Sequence, residues 1–373
     1  MKYFNSHRLS VSQTKTKILS FSTKNEKQQF IGDFNPSPIH FDCVLSLKYL
    51  GIPFSNNTRS LFKEFNIKII EKAESYSRAI FSFTREQFDR SISARLLWLN
   101  SALPSILYGC EVIPLSIVTI DRLQCIQNQI GKCILKIPKS SSNAAVAIDA
   151  GLMPIKFMIS QRVLSYIQKF SFLELNYWPR KAFEWTSLNS TRSSYQSYID
   201  YCKSILVTSP NMPQNLKDSI NSSTRKYIQH LRDKTYVTSF SLNMPFVNEL
   251  FKLKPWVHDG YSSKVYAMFR CNNANLGNRY PNENGYFTKL CKLCADPPRY
   301  LNNESHIVIS CKKFEPIRRA CILHKLLKYY EFCYPHMSDD LKYAKLMDNH
   351  NPRRLYIAES LVMIYDAWIV LTS

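Results

Sequence analysis

A mainly α chain with a small α+β segment at its N-terminus is the fold class this sequence predicts, and three observations predict it. Up to about residue 54, short apolar runs alternate with Asn, Pro, Gly and Ser, the texture of small strands and turns. From about Leu61 the apolar residues fall into steps of three and four, the spacing of one helical face. Towards the other end, Cys291, Cys294, His306 and Cys311 stand as C-x2-C-x11-H-x4-C. Those ligand types at that spacing suit a small metal module.

Taken in order, the first strand-like runs are "ILSF" (18–21) and "LKYLGI" (47–52), each bounded by turn residues. Phe62, Phe65, Ile69, Ala73, Tyr76, Ile80 and Phe83 then make one helical stripe. Phe88, Ile92, Leu96, Leu99 and Leu103 make a second, expected to end near Pro104 because proline lacks the N–H that a helix interior needs. Ile120, Leu123, Ile130, Ile134 and Ile137 make a third, and a further helix is expected from 155 to about 173. From 176 to about 255 the text turns polar and aromatic, with patches such as "SLNSTRSSYQSY" and weak helical signals over 216–231. It reads as a connector with some helix. "PNENG" (281–285) is a loop leading into the cysteine cluster.

Two more Cys/His pairs, Cys321 with His324 and Cys333 with His336, fall in "RRACILHKLLKYYEFCYPH". That stretch reads as one amphipathic helix running to Pro335, and ligands strung along a helix do not converge on one ion. The most apolar segment, 355–371, is interrupted by Glu359 and Asp366 and falls short of the roughly 20 residues a spanning helix needs. It is expected to be a buried closing helix, which demotes the membrane as a partner.

At 373 residues the chain exceeds a typical domain, and two or three compact units are expected. Forty-nine Lys and Arg against 28 Asp and Glu leave a formal charge of +21. Such an excess repels itself unless a polyanion compensates it, so nucleic acid leads as partner and an anionic membrane comes second. The competing reading is a merely basic protein. Aromatic residues, 13% of the chain, add stacking surface for unpaired bases, although most belong to the core. The eleven cysteines are an odd number and, apart from the Cys291–Cys294 pair, lie scattered along the chain, and Met1-Lys2-Tyr3-Phe4-Asn5 opens no apolar leader. A reducing compartment is expected, nuclear or cytoplasmic rather than secreted, with thiols free or metal-bound.

In the cysteine cluster all four positions carry ligand types, which makes a closed structural site with no open position for a catalytic water. Reduced thiols at this spacing favour zinc. Three thiolates and a neutral imidazole leave the bound ion with a local charge of minus one. Lys292, Arg299, Lys312 and Lys313 crowd around it, offsetting that charge and leaving a basic rim. Binding of this kind supplies about 10 kcal/mol of folding free energy. The competing reading is a chance Cys-x2-Cys with His306 a bystander.

Several motifs together carry a resemblance. "HRLSVSQTKTKILSF" (7–21) is similar to the segment just after the catalytic aspartates in reverse transcriptases of non-LTR (LINE-type) retrotransposons, where Gly-Leu-x-x-Asn precedes Lys-Thr. Leu9, Lys15 and Thr16 match, while Arg8 and Ser12 stand where Gly and Asn are usual. "KYLGI" (48–52) resembles the Leu-Gly turn near the primer grip. "ARLLWLNSALPSILYGCEV" (94–112) resembles the thumb, with Pro104, then Tyr108, Gly109 and Glu111. "IDRLQ" (120–124) follows, then Gln127, Asn128 and Lys132, and "AMFRCNNANLGNRY" (267–280) resembles the helical lead-in to the family's terminal zinc module. Order and spacing match across nearly the whole chain.

The resemblance implies a division into 1–60, the end of the palm with a primer-grip-like turn; 61–175, a helical thumb; 176–285, a connector; 286–335, the zinc module; and 336–373, a C-terminal helical segment. It implies that the chain holds RNA template and DNA primer or target. Lys15, Lys17, Arg90 and Arg95 would grip phosphates, Tyr49 to Gly51 would pack the turn beneath the primer end, and the zinc module would bind through its rim. A solvated helix face competes for Arg90 and Arg95, and a plain core role for Tyr49 and Leu50. The family's magnesium-binding carboxylates lie in palm motifs upstream of Leu9, so neither catalytic residues nor bound Mg2+ are expected here, and the chain alone is expected to be inert as a polymerase. Met337-Ser338-Asp339-Asp340 imitates the catalytic hairpin, but Asp339 is expected to be a helix N-cap. Two further readings compete: a non-enzymatic zinc-containing nucleic-acid-binding protein from a decayed or co-opted element, and a zinc-stabilised interaction protein.

Overall fold

The structure is a computed structural model and describes residues 16–19, 30–32, 39–49, 51–55, 58–84, 90–141, 143, 146–147, 150–174, 176–181, 184, 194–206, 222–223, 226, 261–270, 274, 291, 293–294, 304–347 and 353–372. Lys15, Leu50, Phe88, Lys292, Arg299, the 281–285 loop and most of 207–260 lie outside them, as do the side chains of Arg90 and Ile92.

The N-terminal segment forms two small sheets. In the first, β1 (Lys17–Leu19) lies parallel to β3 (Ile39–Val44), which pairs antiparallel with β2 (Phe30–Gly32), in the order β1-β3-β2. In the second, β4 (Ser46–Tyr49) and β5 (Ile52–Ser55) make a hairpin with Tyr49 opposite Ile52. The run 47–52, expected as one strand, thus folds back on itself. Gly51, at φ +85°, supplies the left-handed conformation that a two-residue reversal requires. Tyr49 is 61% exposed and meets Phe54 edge-on, so it is not a core residue.

The first helical stripe becomes α1 (Thr58–Thr84), which buries Phe65, Ile69, Ala73 and Ile80 against β5 and α4 (Ile117–Leu135). Phe83 departs from the expectation and is largely exposed. The second stripe is corrected more deeply. The helix ends near Pro104 as expected, at Ile106, but it gets there from α2 (Arg90–Leu96) through a π-helical segment (Leu97–Ala102) into α3 (Leu103–Ile106). Pro104 offers no N–H, and its ring crowds the carbonyl four residues back. The backbone widens to accommodate it, and Leu103 N–H bonds Trp98 O, five residues earlier. That extra residue turns the inward face, so Ala94, Trp98, Ala102 and Ile106 are buried while Leu96 is exposed.

The third stripe, α4, starts at the Ser116 N-cap, whose hydroxyl accepts from Thr119 N–H at 3.1 Å, and ends at left-handed Lys136. Its residues Ile120, Leu123, Ile130 and Ile134 are buried as expected. Gly131 lets Val146 and Leu152 approach closely, because a Cβ there would stand 2.6 Å from Val146 Cγ1. The fourth helix, α5 (Ile155–Ser171), packs on both α4 and α6 (Ser194–Leu206). The polar aromatic text at the start of the expected connector therefore joins the bundle. Its tyrosines explain why: Tyr195 OH donates to Glu111 O (2.8 Å) and Tyr198 OH to Cys110 O (3.1 Å), serving carbonyls that no helix satisfies.

A second set of helices follows: α7 (Tyr261–Arg270), α8 (Glu304–Ile309), a 3-10 turn (Lys312–Phe314), α9 (Glu315–Ala320), α10 (Ile322–Cys333), α11 (Asp339–Leu346) and α12 (Arg354–Thr372). Chief among their contacts is α7 on α12, with α11 on α8 and both α9 and α10 against α12. Helix α7, inside the expected connector, and α11 and α12, beyond the expected zinc module, thus pack with that module. Tyr343 OH reaches Phe269 O at 2.8 Å, tying α11 to α7. The single helix expected up to Pro335 is two, broken at Cys321 where the backbone becomes extended. The N-cap of α11 is Ser338, whose hydroxyl accepts from Leu341 N–H, and Asp339 is the first helical residue rather than the cap. Helix α12 buries Ile357, Leu361, Ile364 and Trp368 but exposes Val370 and Leu371, so its burial is one-sided. Among the described residues no helix is long and apolar enough to cross a membrane.

Candidate metal centre

The four cysteine and histidine ligands expected from the spacing converge. One ligand atom from each of Cys291, Cys294, His306 and Cys311 lies within 4.8 Å of all the others. Cys294 Sγ stands 3.4 Å from His306 Nε2 and 3.5 Å from Cys311 Sγ. With metal–sulfur bonds of about 2.3 Å and metal–nitrogen bonds of about 2.0–2.1 Å, the edges of a tetrahedron are roughly 3.8 Å between sulfurs and roughly 3.6 Å from sulfur to nitrogen. The donor set fits a four-coordinate ion with no protein position left open.

Local structure builds the site from two pieces. Cys291 and Cys294 come from one short turn, and His306 sits on α8 with Cys311 just past its end. The helix is stopped by Ser310 and Cys311, whose N–H groups both donate to His306 O, at 2.9 and 2.8 Å. That reversal leaves the Cys311 thiol within 4.8 Å of the His306 ligand nitrogen. Ser310 Oγ lies 3.1 Å from His306 Nδ1, which leaves Nε2 as the atom facing the thiols. The other two apparent pairs do not join, since Cys321 lies at the break before α10 and Cys333 is exposed at its end.

Electrostatics point the same way. Cys291, His306 and Cys311 are almost wholly buried and Cys294 is partly so. Burial pushes the Cys291 and Cys311 thiols up from their ordinary range, with neighbouring thiols adding to the effect. Burial pushes His306 down, with the Arg318 guanidinium in the same direction and Asp339 opposing. The imidazole is therefore neutral and able to ligate, and the thiols ionise when a cation arrives to replace their protons.

The sequence reading missed Arg318. It is buried at 3% exposure, and it donates to Cys311 O (2.7 Å), Ile307 O (3.3 Å) and the Glu315 carboxylate (3.0 Å). The expected compensating cations were Lys292, Arg299, Lys312 and Lys313, of which Lys312 and Lys313 are exposed on the 3-10 turn. Arg318 is the buried cation beside the ligands, and it also satisfies the carbonyls at the end of α8. Its signal in the sequence was slight, an arginine three residues after Glu315 in "EPIRRA".

The remaining expected contacts scatter. Lys17 is exposed on β1, and Arg90 opens α2. Arg95 does not form the solvated face proposed as its alternative: it is half-buried, and its Nε donates to Ala150 O at 3.0 Å. Gly51 faces Tyr108, whose ring edge would be 3.8 Å from an added Cβ. Gly109, at φ +87°, is packed against Ile52 and Phe65. The Leu-Gly turn and the Tyr-Gly corner thus abut.

No family model, curated protein or solved structure matches this chain.

Proposed function

We propose that this chain is the nucleic-acid-gripping C-terminal part of an RNA-directed DNA polymerase of the non-LTR retrotransposon type, stabilised by one structural zinc ion. The observation that carries the reading is the seating of the Gly51 turn on the Tyr108–Gly109 corner. These are two separate pieces of the resemblance, and a grip beneath a primer end needs such a turn braced on the helical unit. The net charge of +21 supports a polyanionic partner. The Cys3His set supports zinc, because three soft thiolates and one imidazole in a closed tetrahedron suit that ion best among the common divalent metals. The ion holds structure; Lys312 and Lys313 give the module its exposed positive face.

The test is binding of a labelled RNA–DNA hybrid across a salt series. Affinity should fall steeply with salt, and absence of binding at about 50 mM, or a flat dependence, would sink the reading. Purified protein should carry one zinc per chain, lost in Cys294→Ser. Magnesium-dependent primer extension by the isolated chain would overturn its role as a grip without chemistry.

A further inference from the structure

Away from the metal centre, a cleft of ≈ 740 Å³ opens between α1, α4, the 136–141 turn and α7. Its volume falls within the range of about 300–1,000 Å³ typical of ligand sites. Four lysines line it, Lys132, Lys136, Lys139 and Lys264, and none of its described lining residues is acidic. The C-terminus of α4, with its negative dipole end, explains Lys132 and Lys136. It does not explain Lys264, which arrives from α7, or Lys139, which lies beyond the helix end. Two separate elements therefore bring like charges to one concavity, an arrangement that costs free energy unless an anion compensates it.

We propose that this cleft seats the sugar-phosphate backbone of a single polynucleotide strand. The inference rests on the nucleic-acid reading above and adds a second contact surface to it. A lone phosphate needs only a small nest, whereas this cleft also carries an apolar wall from Phe81 and Ile137, and the Asn128 amide beside them. Lysines for successive phosphates, an aromatic edge for a base and an amide for polar groups are the parts of a single-strand groove. Lys132 Nζ donates to Lys139 O at 2.6 Å, which holds the turn that carries Lys139 at the rim.

The experiment uses the full zinc-loaded chain and a short labelled oligouridine. Cys125 lines the cleft and is exposed, and Cys333 is exposed on α10 outside it. Bound RNA should slow alkylation of Cys125 and leave Cys333 unchanged. Lys139→Gln with Lys264→Gln, both at exposed positions, should flatten the slope of log affinity against log salt by about 1.4, from roughly 0.7 per single-strand phosphate contact. An unchanged melting curve and zinc content show that the variant folds. If the wild-type chain binds RNA but Cys125 stays unprotected, the cleft inference falls whatever the slope does, and the proposed function stands. An unchanged slope in a folded variant overturns it equally. If the wild-type chain binds the RNA–DNA hybrid but no oligouridine at low salt, the cleft inference falls alone; if it binds neither, both fall together. Equal protection of Cys125 by ATP would replace the strand with a mononucleotide and overturn the proposal in that form.

Discussion

The bundle α1–α6 and the unit α7–α12 bury their helices by different means. The bundle closes chiefly over apolar side chains: Ile69, Ala73, Trp98, Ile130, Ile134 and Leu164 are all within 4% of full burial. A deep polar relay within it, Trp98 Nε1 to Gln127 Oε1 (3.2 Å) and Gln127 Nε2 to Met153 O (2.8 Å), is satisfied internally. The metal unit contains a six-residue helix, α8, and a 3-10 turn of three residues, too short to persist without outside support. Thiols, an imidazole and the guanidinium of Arg318 supply that support. Both units bury apolar side chains, Ile307 and Val308 of α8 among them, and around the short α8 four ligand side chains and the buried Arg318 are added to that burial.

The strongest way to break this comparison is to disable the ligand set of the proposed ion. Cys311→Ser, or chelation, should remove about 10 kcal/mol of stabilisation from α7–α12 while the bundle persists. Limited proteolysis should then digest the region around 261–372 and spare a fragment containing 58–206. A chelated protein with an unchanged digestion pattern would show that the cluster is dispensable.

Trp98→Ala makes the complementary cut. It leaves a cavity and strands the Gln127 carbonyl oxygen, so the bundle should lose about 3–5 kcal/mol in denaturant unfolding. Zinc content below the transition should not change, and coupled loss of zinc would mean that the two units are not energetically separate.

Arg318→Met tests whether a charge or merely a side-chain volume is needed beside the ligands. It leaves the Ile307 and Cys311 carbonyls without their donor, at about 1–3 kcal/mol, and zinc affinity should fall by about 10–100-fold, as for other residues that support a ligand. Competition with a chromophoric chelator measures it; unchanged affinity would restrict Arg318 to helix packing.

Gly109→Ala is the mildest. It places a Cβ 3.2 Å from Ile52 Cδ1 at φ +87° and should cost about 1–3 kcal/mol. If the Gly51 turn braces a nucleic-acid end, binding of the hybrid should weaken beyond what thermal destabilisation explains.

Much of this was legible beforehand, and the failures have a common cause. The stripes of α1 and α4 were readable because each helix keeps a regular period and presents one face to one neighbour. The α2–α3 face is not legible in the same way, because Pro104 shifts the hydrogen bonding to five-residue steps, which turns the face without altering the composition. The start of α6 resembles connector text because tyrosines among polar residues do not announce that their hydroxyls will meet the Cys110 and Glu111 carbonyls. In the metal centre the four ligands were legible from spacing, since a Cys-x2-Cys turn and a His-x4-Cys helix end each define local geometry.

What the sequence determined by itself was therefore local: which residues can ligate, which helices are periodic, and the sign of the molecule's charge. Tertiary structure alone decided that Arg318 sits buried beside the ligands, that the Gly51 turn rests on Gly109, and that Lys264 joins the lysines of α4 around one cleft. Each of these joins residues far apart in the chain or fixes which way a side chain points at a helix end. Spacing encodes distance along the backbone, but burial and charge compensation depend on distance in space, and only the packed fold supplies that.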